Sequence, residues 1–262
     1  MAAILSDDEP RVYDLVNPAG ASRFVLVCEH AGRLVPRGFG DLGLPAAEFD
    51  RHIAWDIGAE PVARGLSAAL DAPLLLQRYS RLVVDCNRPF AAHDAIPETS
   101  DTTVVPGNAH LTPEARAARF AAIHAPFHDR LAALLDSRPA GAKTVLVAIH
   151  SFTPMLLAEG RARPWHAGLL FNRDDRFSRR LMDAMLALRP DLPAAFNEPY
   201  KVSDTGDYTI PFHAERRGLK HALIEIRNDL IATPAGQHDW IGFLAAACTA
   251  AERADALDDA DD

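Results

Sequence analysis

The segment KTVLVAIHSFTP, residues 143–154, carries five apolar residues in succession and then turns polar at His150 and Ser151. A short run without alternation, rich in Val and Ile, marks a strand covered on both faces, as in a parallel sheet flanked by helices. Five other runs share this character: RFVLVCE (23–29), APLLLQR (72–78), RLVVDC (81–86), AGLLFN (167–172) and HALIEI (221–226). Between them, residues 47–70, 113–136, 175–189 and 236–254 carry helical spacing, the second opened by Thr112 as a cap and Pro113 at the first helical position. The alternation predicts one α/β domain over residues 1–252, with a mostly parallel central sheet and helices on both faces. The acidic stretch 253–262 reads as a disordered tail. The loop-rich segment 88–110 reads as an active-site loop or lid.

With 262 residues, nearly half of them apolar, the chain is long enough to bury a sizeable core. A formal charge of -9 argues against a nucleic-acid partner. Cys28, Cys86 and Cys248 are too few and too scattered for a disulfide framework, which fits a cytoplasmic protein. No basic region followed by an apolar run opens the sequence, and no window approaches about 18 uncharged apolar residues, so neither export nor membrane insertion is expected. A monomer or a homodimer is compatible with these features.

In open α/β sheets ligands collect at the carboxyl ends of strands. There the sequence places Glu29 and His30, then Asp85, Asn87 and Arg88, then His150 and Ser151, and Glu225 followed by Arg227 and Asp229. Two imidazoles, several carboxylates and an arginine at one edge are what a zinc-activated water requires. Glu225 interrupts an apolar strand, where an unpaired charge is costly, so it must be paired, protonated or at an open end. His124 and His128 have the spacing of a helical metal pair, but no acid lies between them as in His-Glu-x-x-His, and Pro126 interrupts the helix, so they read as surface or packing residues. Ser151 lacks the Gly-x-Ser-x-Gly elbow of a serine hydrolase.

The motifs CEHAG (28–32), HIAWDIGA (52–59), SRLVVDCNRP (80–89), AIHSFTP (148–154), DTGDYTIPFHAE (204–215) and ALIEIRND (222–229), in that order, resemble the N-formylglutamate amidohydrolase family. DCNRP, AIHSF and IEIRND are also distantly similar to the zinc carboxypeptidases. The resemblance implies a phosphorylase/hydrolase-like, zinc-exopeptidase-like fold, one zinc per chain, and hydrolysis of an N-acyl amide of an acidic amino acid or related small carboxylate. It implies His30 and His150 as zinc ligands, Glu225 as general base, and Asn87 with Arg88 as a clamp for the substrate carboxylate. The carboxypeptidases place a glutamate ligand three residues after the first histidine, where this chain has Arg33, a cation that cannot coordinate zinc. Asp56 is the first choice for the third ligand and Glu29 the reserve, because neighbouring residues at a strand end point to opposite sides. Arg81 or Arg88 would stabilise the oxyanion, and Ser151 would contact substrate. Tyr200, Tyr208 and His213 would belong to a substrate lid over residues 197–213. Rival readings are a non-catalytic binder of small carboxylates and a carboxypeptidase-like peptide hydrolase.

Overall fold

The computed structural model describes residues 4–138 and 143–261. In chain order the elements are β1 (Tyr13–Val16), β2 (Phe24–Cys28), α1 (Ala59–Leu70), β3 (Leu74–Gln77), the small hairpin β4 (Thr99–Ser100) and β5 (Thr103–Val104), α2 (Pro113–Arg119), α3 (Ala125–Asp136), β6 (Val145–Phe152), β7 (Ala167–Leu170), α4 (Arg176–Leu188), β8 (Ala194–Phe196), β9 (Lys220–Arg227) and α5 (Pro234–Asp261). Seven strands form one sheet in the order β1-β3-β2-β6-β9-β7-β8. The central strands β3, β2, β6 and β9 are mutually parallel, while β1 on β3 and β7 on β9 are antiparallel.

Alternation along the buried strands divides the core into two layers. Phe24, Leu26, Val147, Ile149, Ala222 and Ile224 pack against α1, α4 and α5 on one face. Val25, Val27, Leu146, Ala148 and Leu223 pack on the other against Phe127 and Leu131 of α3 and the long connections. Each central strand is therefore covered twice, which explains its continuous apolar run.

Several boundaries differ from the sequence expectation. RLVVDC forms turns, not a strand: Val83 N bonds the Ser80 carbonyl at 2.9 Å, and the apolar side chains are buried by packing alone. Strand β6 continues through His150 and Ser151 to Phe152. The expected helix 47–70 is helical in its second half; a short 3-10 turn covers Ala46–Asp50 and irregular backbone follows up to Gly58. Gly58 has φ +79, and a Cβ there would stand 2.3 Å from the Ile231 carbonyl oxygen, so only glycine turns the chain into α1 at this point. Where a disordered tail is expected, α5 continues to Asp261; Asp262 lies outside the described residues. Within that stretch Asp255 is fully buried and pairs with Arg23 (3.0 Å), Arg180 (3.0 Å) and Lys220 (2.6 Å). No helix among the described residues is long and apolar enough to cross a membrane.

Candidate active site

Strand register brings the chemistry together. His150 and Glu225 are paired positions on β6 and β9. Because Leu146, Ala148 and Leu223 face the α3 layer, His150 and Glu225, in step with them, emerge on that same side. The neighbouring strand β2 ends at Cys28, and beyond it Asp56 N donates to the His30 carbonyl at 2.9 Å, tying the loop before α1 to the sheet edge. Gly168 stands opposite Glu225 on β7, and a Cβ there would come within 1.9 Å of the Glu198 carbonyl oxygen. The close approach of that loop to the sheet beside Glu225 thus depends on a missing side chain.

Each imidazole has a carboxylate of its own beside it. His30 Nε2 lies 2.7 Å from Asp85 Oδ1, and His150 Nε2 lies 3.0 Å from Glu29 Oε2. Their Nδ1 atoms both turn to Asp56 Oδ2, at 3.5 Å for His30 and 2.9 Å for His150. Asp56 is further fixed by the Ser151 N–H at 3.1 Å. Ligand atoms of His30, Asp56 and His150 all lie within 4.8 Å of one another, and all three residues are buried. His30, with its Nε2–H given to Asp85, presents its Nδ1 lone pair, the arrangement found around metal-binding imidazoles. His30 Nδ1 has no hydrogen-bond partner among the described residues. Two nitrogens and one carboxylate oxygen fit a divalent ion with one position left open.

The charges of the cluster sustain each other. Burial alone would favour neutral carboxyls, yet the imidazoles and Arg81 hold Glu29, Asp56 and Asp85 below the usual carboxylate range. Burial would likewise keep the imidazoles neutral, but the facing carboxylates push His30 and His150 upward. Glu225 is the exception: burial first, with the Asp56 charge adding to it, raises its carboxyl to about 7. Its Oε2 is buried without a hydrogen-bond partner among the described residues.

A cleft of about 140 Å³ opens over this cluster, lined by His30, Asp56, His150, Ser151 and Glu225 and also by His52, Arg81, Asn87, Arg88, Tyr200 and Asp207. Arg81 binds Asp85 Oδ2 through two nitrogens at 2.7 and 3.1 Å and reaches Asp56 Oδ1 at 3.4 Å. Asn87 donates to Asp207 Oδ1 at 3.1 Å, while its Oδ1 accepts from the Tyr208 and Thr209 N–H groups at 3.2 and 3.1 Å. Arg88 gives Nε to Asp94 (3.0 Å) and Nη1 to the Gly206 carbonyl (2.6 Å). The Ser151 hydroxyl is turned away to the Ile57 carbonyl at 2.8 Å. A wider hollow of about 520 Å³ shares Arg88, Tyr200 and Asp207 with the cleft.

Two residues expected to meet substrate lie elsewhere. His213 is fully buried, 3.0 Å from His128, and the Tyr208 ring packs on His124 and His128. Neither lines the cleft. His124 and His128, expected at the surface or in packing, are both buried and hydrogen-bonded to backbone carbonyls. Arg33 stacks over Trp55 at 5.0 Å and pairs with Asp50, away from the cluster. The carboxylates behind the imidazoles, Asp85 and Glu29, stood inside the quoted motifs, but which ring each one meets depends on a turn and on strand register that periodicity does not encode. His52 and Asp207 also stood inside quoted motifs, HIAWDIGA and DTGDYTIPFHAE, but their residue types and spacing assigned them no role.

The model of the N-formylglutamate amidohydrolase family matches residues 22–232, which include every cleft residue named above. The chain belongs to the N-formylglutamate amidohydrolase family. Among solved structures, the gene product Atu2144 of Agrobacterium tumefaciens is 39% identical with a TM-score of 0.91, the match covering 96% of this chain and 98% of that one. An N-formylglutamate amidohydrolase from Ralstonia eutropha JMP134 is 19% identical with a TM-score of 0.63 over 92% of this chain and 97% of its own, a likeness of fold. No protein of curated function matches the chain significantly. Family membership makes this amidohydrolase relative a hydrolase of amide bonds, in agreement with the motifs that resemble the family in sequence.

Proposed function

We propose that the protein is a zinc-dependent amidohydrolase that removes an N-acyl group, of the N-formyl type, from an acidic amino acid or a related small carboxylate. The observation that carries this reading is the convergence of His30, Asp56 and His150 within 4.8 Å, beside a buried Glu225 that has an unpartnered oxygen. The zinc-exopeptidase-like relationship belongs to the same proposal and rests on the same donor set and on the Asn-Arg pair. Zinc held by these three residues would supply Lewis acidity to water and to the amide carbonyl.

The chain's own groups account for the proton and charge movements. Glu225, lifted to about 7 by burial, can take a proton from the attacking water and return it to the leaving nitrogen at neutral pH. Arg81 is locked by Asp85 and Asp56 and faces the cleft, so its guanidinium stands ready for an oxyanion without reorganising. Arg88 retains Nη2 for a substrate carboxylate, because its Nε and Nη1 are already bound by Asp94 and Gly206. Asn87 adds a short polar contact beside it. The small cleft suits a compact acyl group, and the adjoining hollow can receive the rest of an amino acid.

The test is a panel of N-formyl, N-acetyl and N-carbamoyl amino acids, assayed with and without added zinc, together with metal analysis after gentle purification. Zinc near one equivalent and zinc-dependent hydrolysis of a carboxylate-bearing member are expected. Tight carboxylate binding without turnover would replace this reading with a non-catalytic binder, and preference for peptides with a free C-terminus would favour a carboxypeptidase-like hydrolase.

A further inference from the structure

Between α2 and α3 the helix widens into one π turn, Phe120–His124. Pro126 follows; it has no N–H to donate and its ring would strike the Ala122 carbonyl in a regular helix, so the wide turn relieves the conflict. The turn sets the rings of His124 and His128 4.3 Å apart, with Tyr208 against both. Their Nε2 atoms reach the carbonyl oxygens of Arg88 at 3.1 Å and Cys86 at 2.6 Å, the residues on either side of Asn87.

The protons can be placed by elimination. A carbonyl oxygen only accepts, so both Nε2 atoms carry hydrogen. His128 Nδ1 is then an acceptor and must receive the Nε2–H of His213, 3.0 Å away. That leaves His213 Nδ1 as an acceptor, and the Arg217 guanidinium stands 3.4 Å from it. Arg217 is itself held by Asp136 at 2.9 and 3.3 Å. One tautomer therefore runs from a surface ion pair through two neutral imidazoles to the backbone of residue 86. The same short segment is gripped on its other side, where Asn87 N donates to Asp85 Oδ1 at 2.8 Å, the oxygen that also holds His30.

Apolar side chains could fill this layer without burying ring nitrogens that each need a partner. Three histidines are spent here on two carbonyls, and those carbonyls flank Asn87. We propose that His124 and His128, with His213 fixing the tautomer behind them, are positioning residues that set the Cys86–Arg88 backbone and so aim Asn87 and Arg88 at the substrate carboxylate. The inference rests on the reading of Asn87 and Arg88 as that clamp.

The test compares His128→Phe, which keeps a ring but loses both hydrogen bonds, with His128→Gln, whose carboxamide can still donate to Cys86 and accept from His213. Turnover of N-formyl-L-glutamate and of its neutral diamide is measured on zinc-loaded protein, with direct binding by calorimetry and zinc content alongside. For His128→Phe, KM and Kd for the dicarboxylate should rise roughly 10-fold or more, as outer partners of a site commonly produce, with zinc content kept and kcat little changed. His128→Gln should recover most of the loss, and the neutral diamide should scarcely distinguish the proteins. Equal losses on charged and neutral compounds, or unchanged affinity in a folded His128→Phe, would overturn the proposal. If His128→Phe does not fold, His124→Phe, which loses only the bond to Arg88, carries the same expectation and the same refutation. A wild type that binds N-formyl-L-glutamate without hydrolysing it would remove the enzymatic reading alone, the positioning role being decided by Kd; one that neither binds nor hydrolyses it would remove the clamp and this proposal together.

Discussion

His150 and Glu225 are paired positions on adjacent parallel strands, and both emerge on the face of the sheet that carries the cleft. The proposed metal ligand and the proposed base are thereby held by a long, buried hydrogen-bonded ladder, where neither can drift without moving the core.

Glu225→Gln preserves volume and much of the polarity but cannot take a proton at neutral pH. Zinc content and melting temperature should stay near wild type while kcat falls at least about 100-fold, the lower end of what general-base catalysis contributes. Metal lost along with activity would make Glu225 a ligand; altered stability with intact turnover would make it a structural carboxylate.

Asp85→Asn should act on the metal through His30. The carboxylate accepts the Nε2–H of His30 at 2.7 Å and also anchors Arg81, so its loss loosens the imidazole and leaves the guanidinium only its longer contact with Asp56. Zinc affinity should fall about 10- to 100-fold, as read by competition with a chelator. An unchanged affinity would show that His30 is not oriented by Asp85 when metal is bound.

Much of this site was legible because burial writes itself into composition. Strands β2, β6 and β9 are covered on both faces, so His30, His150 and Glu225 stand out as breaks in apolar runs. The same logic misled at RLVVDC, where Leu82, Val83 and Val84 are fully buried in a turn, because an apolar run reports burial and not backbone shape. Strands β1 and β8 went unseen since both lie at sheet edges and are only half buried. Helical spacing ran on through residues 47–58, and nothing in that periodicity announces the left-handed turn at Gly58. The histidine network was illegible for a different reason: its members come from segments 85 residues apart, and their meaning lies in which carbonyl each ring meets.

Asp255 belongs to the same class of non-local features. Three cations from β2's approach, α4 and β9 converge on one fully buried carboxylate near the end of α5. Asp255→Asn removes the buried charge that all three cations share, and breaking a buried pair in this way typically costs about 3 kcal/mol or more. Urea unfolding of the full chain should show that loss, with zinc content unchanged; a shift below about 0.5 kcal/mol, typical of surface sites, would mean that the network is dispensable.

Stability in mild acid offers the last expectation. Burial pushes His124 down to about 4 and His213 down to about 3, and it holds His128 well below the ordinary value of 6.5. A histidine that is neutral when folded binds its proton more tightly when unfolded, so its contribution is complete above about 6.5 and is lost as pH falls towards the folded value. For His124 that window runs from about 6.5 to about 4, with a slope of at most about 1.4 kcal/mol per pH unit. Glu225, His30 and His150 are shifted upward and act in the opposite sense, so the whole-protein profile mixes the two. The difference between wild type and His124→Gln separates them, because glutamine can keep a donor for the Arg88 carbonyl but has nothing to titrate. Unfolding free energies measured from pH 7.5 to 4.5 should show the variant gaining steadily on the wild type below about 6.5, while the two run parallel above it. Parallel curves throughout would mean that His124 takes up its proton at the same pH folded and unfolded, and the downward shift attributed to its burial would have to be abandoned.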